Sequence, residues 1–161
     1  MSPQTQTDSE SFVLLRLAER RFAVAAGDIA ELVAPSRIFR FPHHTKEIEG
    51  VILRRGRIVP VCDVAARLIG KSLLSRRFYL IAQRRYTNGT EWIALPVTGD
   101  CELIFAEMIP ASEADLPHVS GWLSHDGDVI EVLNLNALTP GPNPTILPAP
   151  AEALQQQEAL S

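Results

Sequence analysis

The chain has no lysine or arginine beyond Arg85. All 15 basic residues of its 161 lie at or before that position, beside eight acidic ones, and the remainder carries 11 acidic residues. The first stretch therefore sums to +7 and the second to −11, which gives the net −4 of the whole. Such a division predicts either two ordinary solvated surfaces or a molecule with unlike faces that docks to two partners or head-to-tail with relatives. Aromatic residues are few: six Phe, two Trp and two Tyr. None interleaves with the arginines as a stacking surface for nucleic acid requires, and the acidic part would repel phosphate, so no nucleic-acid partner is expected. The apolar runs are strand-sized, far short of the roughly 20 residues of a membrane helix, and exclude direct membrane insertion by a helix. The start, Met1 to Asp8, lacks the basic and apolar regions of a secretory signal, and the expected location is the cytoplasm.

The two cysteines, Cys62 and Cys101, have no CxxC spacing and read as reduced thiols in the core. Histidines 43, 44, 118 and 125 form no pair with helical zinc spacing. The nine glycines are scattered singly and build no phosphate loop, and no G-x-S-x-G elbow occurs. No cofactor, no metal site, no catalytic residue and no enzymatic activity are expected.

Residues 50 to 63 are the most informative segment. Gly50-Val51-Ile52-Leu53 and Ile58-Val59-Pro60-Val61 flank Arg54-Arg55-Gly56-Arg57, and Asp63 follows. The pattern predicts a tight β-hairpin whose tip projects guanidinium groups, a feature suited to holding a partner. Most of the other segments also read as strands. Phe12 to Leu17 and Arg21 to Val24 form a hairpin pattern, while Ile29 to Val33 fits either a helical turn capped by Asp28 or a strand. Arg37 to Phe41 alternates basic and apolar, as a half-buried strand does. Val64 to Ile69 favours a helix with Asp63 as cap and Gly70 at its exit. Asn88-Gly89 turns the strand Arg77 to Ala82 into Glu91 to Val97. Strands at Cys101 to Phe105, Val119 to Leu123 and Asp128 to Leu133 follow, the last two joined by His125-Asp126-Gly127. Residues 50 to 69 are echoed at 119 to 138, a weak internal duplication that favours two similar small barrels over one large sheet. Trp92 and Trp122 read as structural, and close backbone approach is expected at Gly121. Five prolines between Pro140 and Pro150 exclude a central strand there.

Over about residues 12 to 139 the chain resembles CheW-like proteins, the adaptors of bacterial chemotaxis. Their hairpin pattern, Gly-apolar-apolar-Asn-Leu-Arg-Gly-x-apolar-Val-Pro-apolar-x-Asp-Leu, is matched from Gly50 to Val64, and the opening strands, Ile29 to Leu32 and Gly121 to Leu138 fall in the family's order. The resemblance implies an all-β fold of two intertwined five-stranded SH3-like β-barrels with short helical turns. It divides the chain into a disordered N-terminus (1–11), the CheW-like domain (12–139) and a Pro-rich flexible tail (140–161). It implies an adaptor that couples the cytoplasmic tip of chemoreceptors to the regulatory domain of a CheA-type histidine kinase and joins related CheW-like domains in rings. The receptor-contacting positions carry over to Ile29, Glu31, Leu32 and Arg55, with hairpin and flanking contacts at Val51, Arg54, Gly56 and Arg57.

Two departures stand out. Leu53 and Arg54 replace the family's Asn and Leu, which removes an amide that could brace the turn and adds charge, and Val97-Thr98-Gly99-Asp100 replaces a Val-Asp-Gly-Val. They open the reading of a divergent array, such as one controlling pili or surface motility. An adaptor must leave apolar edges for its neighbours, so some of Ile29, Leu32, Val51, Ile58 and Val61 are expected at the surface and two or three in the core. The competing reading is an SH3-like barrel that binds Pro-rich peptide or RNA, for which an aromatic groove would be needed.

Overall fold

The Val-, Ile- and Leu-rich runs form strands because alternation lets each bury one row of side chains while its backbone groups pair with a neighbour. In a computed structural model, residues 10–40, 48–86, 89–112 and 116–139 are described. They comprise β1 (Glu10–Leu17), β2 (Arg20–Ala25), β3 (Ile29–Val33), β4 (Ile48–Arg54), β5 (Arg57–Cys62), β6 (Phe78–Tyr86), β7 (Gly89–Val97), β8 (Glu102–Ala106), β9 (Ile109–Pro110), β10 (Val119–His125) and β11 (Asp128–Leu133). Helical turns at Ala65–Leu68 and Leu135–Leu138 follow β5 and β11. Two SH3-like barrels result, from sheets ordered β8-β1-β2-β11-β10-β9 and β3-β6-β7-β5-β4.

The strand order shows how the barrels intertwine. Each half of the chain runs hairpin, edge strand, hairpin, helical turn, and each sheet takes its first hairpin from one half and the rest from the other. Parallel pairs mark the crossings, β2 beside β11 and β7 beside β5. The echo in the sequence is thus a structural duplication. Gly50 and Gly121 both sit at bulges, both hairpins turn through a residue and a glycine at positive φ, and both helical turns are capped from the residue just beyond the strand. Asp63 Oδ1 accepts from the Ala65 N–H at 3.0 Å, and Asn134 Oδ1 accepts from the Asn136 N–H at 3.1 Å. The exit at Gly70 takes the left-handed conformation, φ +79°. Gly121 allows the expected close approach, since the Ile109 carbonyl oxygen would lie 2.4 Å from a Cβ there.

Three apolar clusters follow from this exchange. Phe12, Leu14, Ile104, Leu123, Ile130 and Val132 fill one barrel, and Ile52, Val59, Val61, Tyr79 and Ile81 fill the other. Between them Leu15, Leu17, Phe22, Leu80, Leu95 and Leu138 make a shared core to which both halves contribute. Trp92 packs at the edge of its barrel's cluster, as a structural residue should. Cys62 is buried and Cys101 half-buried, and neither forms a disulfide. Burial, and then the charge of Asp100, push the Cys101 thiol up to about 11, so it stays protonated at neutral pH.

One open alternative is settled and two local expectations need revision. Ile29–Val33 is a strand, preceded by a single 3-10 turn at Ala26–Asp28 in which the Asp28 side chain makes no cap. Residues 37–40 form no strand. Phe39 alone among them pairs, with Val51, by backbone bonds of 2.8 and 2.9 Å. Charge segregation in the sequence also does not survive folding intact. The basic β1–β2 hairpin crosses into the acidic barrel, where Arg20 pairs with Glu131 at 3.3 Å and Arg21 with Asp128 at 2.6 Å. The expectations for residues 1–9, His43, His44, Asn88 and the tail from 140 lie outside the described residues. No helix among the described residues is long and apolar enough to cross a membrane.

Candidate functional site

β4 and β5 end in a two-residue turn in which Arg55 (φ +54°) and Gly56 (φ +75°) both adopt the left-handed conformation. This geometry matches the twist of the paired strands and favours glycine at the second position. Arg54 and Arg57 face each other across the last register pair, and neither projects freely. Arg54 grips Glu31 of β3 with two parallel bonds, Nε to Oε1 at 2.6 Å and Nη2 to Oε2 at 3.0 Å. β3 and β4 are the two edges of their sheet, so this pair ties the open margins of the barrel together. Arg57 lies over the Trp92 ring, 4.3 Å from its centroid.

Arg55 is the least engaged of the three. Its side chain is 67% exposed and only brushes Glu31, with Nη2 to Oε2 at 3.4 Å. Leu53 and Ile58, opposite each other in the hairpin, Leu32 on β3 and Phe39 at the bridge are all exposed. Of the five apolar residues weighed above, Leu32 and Ile58 are at the surface, Val51 and Val61 are buried, and Ile29 is half-buried against the shared core. Gly56 has open space beside it.

The Arg54 hydrogen bonds hold the Glu31 carboxyl below its ordinary value of 4.5, with a smaller contribution from Arg55, against the opposing effect of burial. Because the folded value is the lower one, the pair's support for the fold is complete above pH 4.5 and is lost as pH falls through the folded value. Arg54→Met should move the Glu31 carboxyl titration, followed by NMR, up toward 4.5. An unchanged midpoint would mean that Arg54 does not hold it.

The matching end of the other barrel has the same backbone and the opposite sign. His125, Asp126, Gly127 and Asp128 stand where Arg54, Arg55, Gly56 and Arg57 do, with Asp126 and Gly127 at φ +51° and +81°. His125 Nε2 lies 3.3 Å from Asp126, and Val129, at the position that corresponds to Ile58, is exposed. Whatever each end binds, the two present opposite charge.

Two barrels that share exchanged hairpins and carry an apolar, guanidinium-tipped end define a scaffold for protein contacts. The chain belongs to the CheW-like family, whose domain matches residues 11–138, and it is a CheW-like chemotaxis scaffold. Its structure is similar to that of the scaffolding protein TtCheW from Thermoanaerobacter tengcongensis, with a TM-score of 0.65, 25% identity, and coverage of 80% of this chain and 86% of that one. No curated protein matches it.

Residue patterns alone missed part of this site. Arg54 reads as added charge, whereas it is neutralised by Glu31, and Leu53, Phe39 and the Arg57–Trp92 stack went unforeseen. An acceptor for Arg54 lies 23 residues away, so only the placement of β3 against β4 shows it.

Proposed function

We propose that this chain is a non-catalytic adaptor that couples chemoreceptors to a CheA-type histidine kinase. It works in the cytoplasm and is recruited to membrane-associated receptor arrays, such as one controlling pili or surface motility. The observation that carries this reading is the division of labour among the hairpin arginines. Arg54 is bound by Glu31 and Arg57, itself exposed, lies over Trp92, while Arg55 stands exposed with only a weak contact, and Leu32, Leu53 and Ile58 are exposed on the same strands. Desolvated apolar contact around one arginine with planar donors is a strong arrangement for protein recognition. The receptor tip contacts Ile29, Glu31, Leu32 and Arg55, flanked by Val51, Arg54, Gly56 and Arg57. Glu31 acts there through the arginines it holds.

Bringing receptor and kinase together raises their effective concentration, and control of the kinase comes from preferring one of its states. The kinase contributes its regulatory domain, and related CheW-like domains join in rings. Arg55→Glu reverses charge at an exposed position and leaves the Arg54–Glu31 pair in place. It should lower binding to a receptor cytoplasmic fragment by about a hundredfold, the effect of losing an interfacial arginine. Unchanged binding by the folded variant would exclude the receptor role of Arg55. Failure of the wild-type chain to co-purify with the kinase's regulatory domain would end the coupling reading.

A further inference from the structure

The duplication places an occupied socket in one half opposite a cavity in the other. In the first half Arg76 extends between Glu49 and Asp63. Its Nη1 reaches Glu49 Oε1 at 3.0 Å, and its Nη2 lies 2.5 Å from Glu49 Oε2 and 3.0 Å from Asp63 Oδ2. Burial works against its charge, and the bond and charge of Glu49, with the charge of Asp63, more than reverse this and raise its pKa. Glu49 immediately precedes the bulge glycine Gly50, and Asp63 caps the helical turn. The residues in those places in the second half are Ser120, before Gly121, and Asn134, which caps the other turn. Among the described residues no arginine reaches these two. They line a cavity of about 280 Å³ instead, whose wall also includes Phe12, Met108 and Val132.

We infer that this cavity is a socket for an arginine side chain supplied by a protein partner. Its lining determines the class. Asn136 donates its amide to the Arg85 carbonyl at 2.6 Å, which leaves its own oxygen as an acceptor. Glu10 and Asp28 add two carboxylates against one guanidinium, Arg85, which is mostly exposed and 4.0 Å from Asp28. Where the Arg76 socket has its carboxylates at the bulge and cap positions, this cavity has them elsewhere on its wall. A cation on an apolar stem fits this wall, and a planar head with several donors reaches more of its acceptors than an ammonium does. The inference concerns a site apart from the hairpin end and does not depend on the coupling role proposed above.

Titration of the full chain with N-acetyl-arginine N-methylamide, followed by amide NMR, tests it. The expected result is saturable shifts centred on Ser120 and the side-chain amides of Asn134 and Asn136, in the millimolar range for a lone side chain. The lysine analogue should bind about tenfold more weakly, since it lacks the planar fork. Glu10→Gln with Asp28→Asn should weaken the arginine analogue, and Ser120→Leu should block it, with each variant's own spectrum reporting its fold. Absence of shifts, shifts centred elsewhere, or equal binding of the glutamine analogue would overturn the inference.

Discussion

Gly121→Ala is expected to lower the unfolding free energy by about 3 kcal/mol, at the upper end for overpacking a core by one methyl group. An added Cβ would lie 2.4 Å from the Ile109 carbonyl oxygen and 2.8 Å from Met108 Cγ. The thioether can move, but the carbonyl belongs to β9, which pairs with β10 at this point, so relief requires displacement of a strand. Gly50→Ala meets the Phe39 carbonyl at 2.5 Å, yet Phe39 is held by one isolated bridge, and the cost should be about half as large. Gly127→Ala has open space and suffers only the left-handed backbone at φ +81°, about 1 kcal/mol. Urea unfolding of the three variants gives the ranking. A Gly121→Ala protein as stable as the parent would show that the close approach does not constrain the bulge.

Removal of the carboxylate from Arg84 should be as damaging. This guanidinium is 2% exposed and pairs with Glu91, while its Nη1 donates to the Thr139 hydroxyl at 3.0 Å. Thr139 in turn donates to the Leu135 carbonyl at 2.6 Å, so the arginine fastens the last helical turn to β6. Glu91→Gln leaves the buried charge without its counterion and should cost about 4 kcal/mol. Arg84→Met leaves instead a carboxylate that is 20% exposed and can reach water, so about 3 kcal/mol is expected. The double variant should lose clearly less than the two together, because the second change removes the charge that the first strands. Additive losses, read from the same unfolding curves, would show that the two side chains are not coupled.

These two sites belong to opposite categories of legibility. The Gly121 approach can be anticipated because an apolar-polar-Gly-apolar run in a strand, Val119 to Trp122, repeats the one from Ile48 to Val51. Arg84 offers no such signal: it sits in a strand among arginines, and its partners come from β7 and from Thr139 at the end of the last helical turn. At the hairpin end the same contrast recurs. A basic tip between two apolar strands is readable as residues 50 to 63, including the positive-φ turn that Arg55-Gly56 adopts. Which of its arginines is left unengaged is not readable, since Arg54 and Arg57 are engaged by Glu31 and Trp92, residues on other strands.

Alternation, turn residues and the repeated Gly-to-Asp/Asn motif were enough to specify strands, hairpins and two like barrels, because each depends on neighbours along the chain. The exchange of first hairpins, the mixing of basic and acidic segments it causes, and the different fates of the Arg76 socket and the Ser120–Asn134 cavity depend on which halves lie side by side. Pairing of that kind is settled by burial of the shared core of Leu15, Phe22, Leu80 and Leu138, a long-range requirement that no local run of residues expresses.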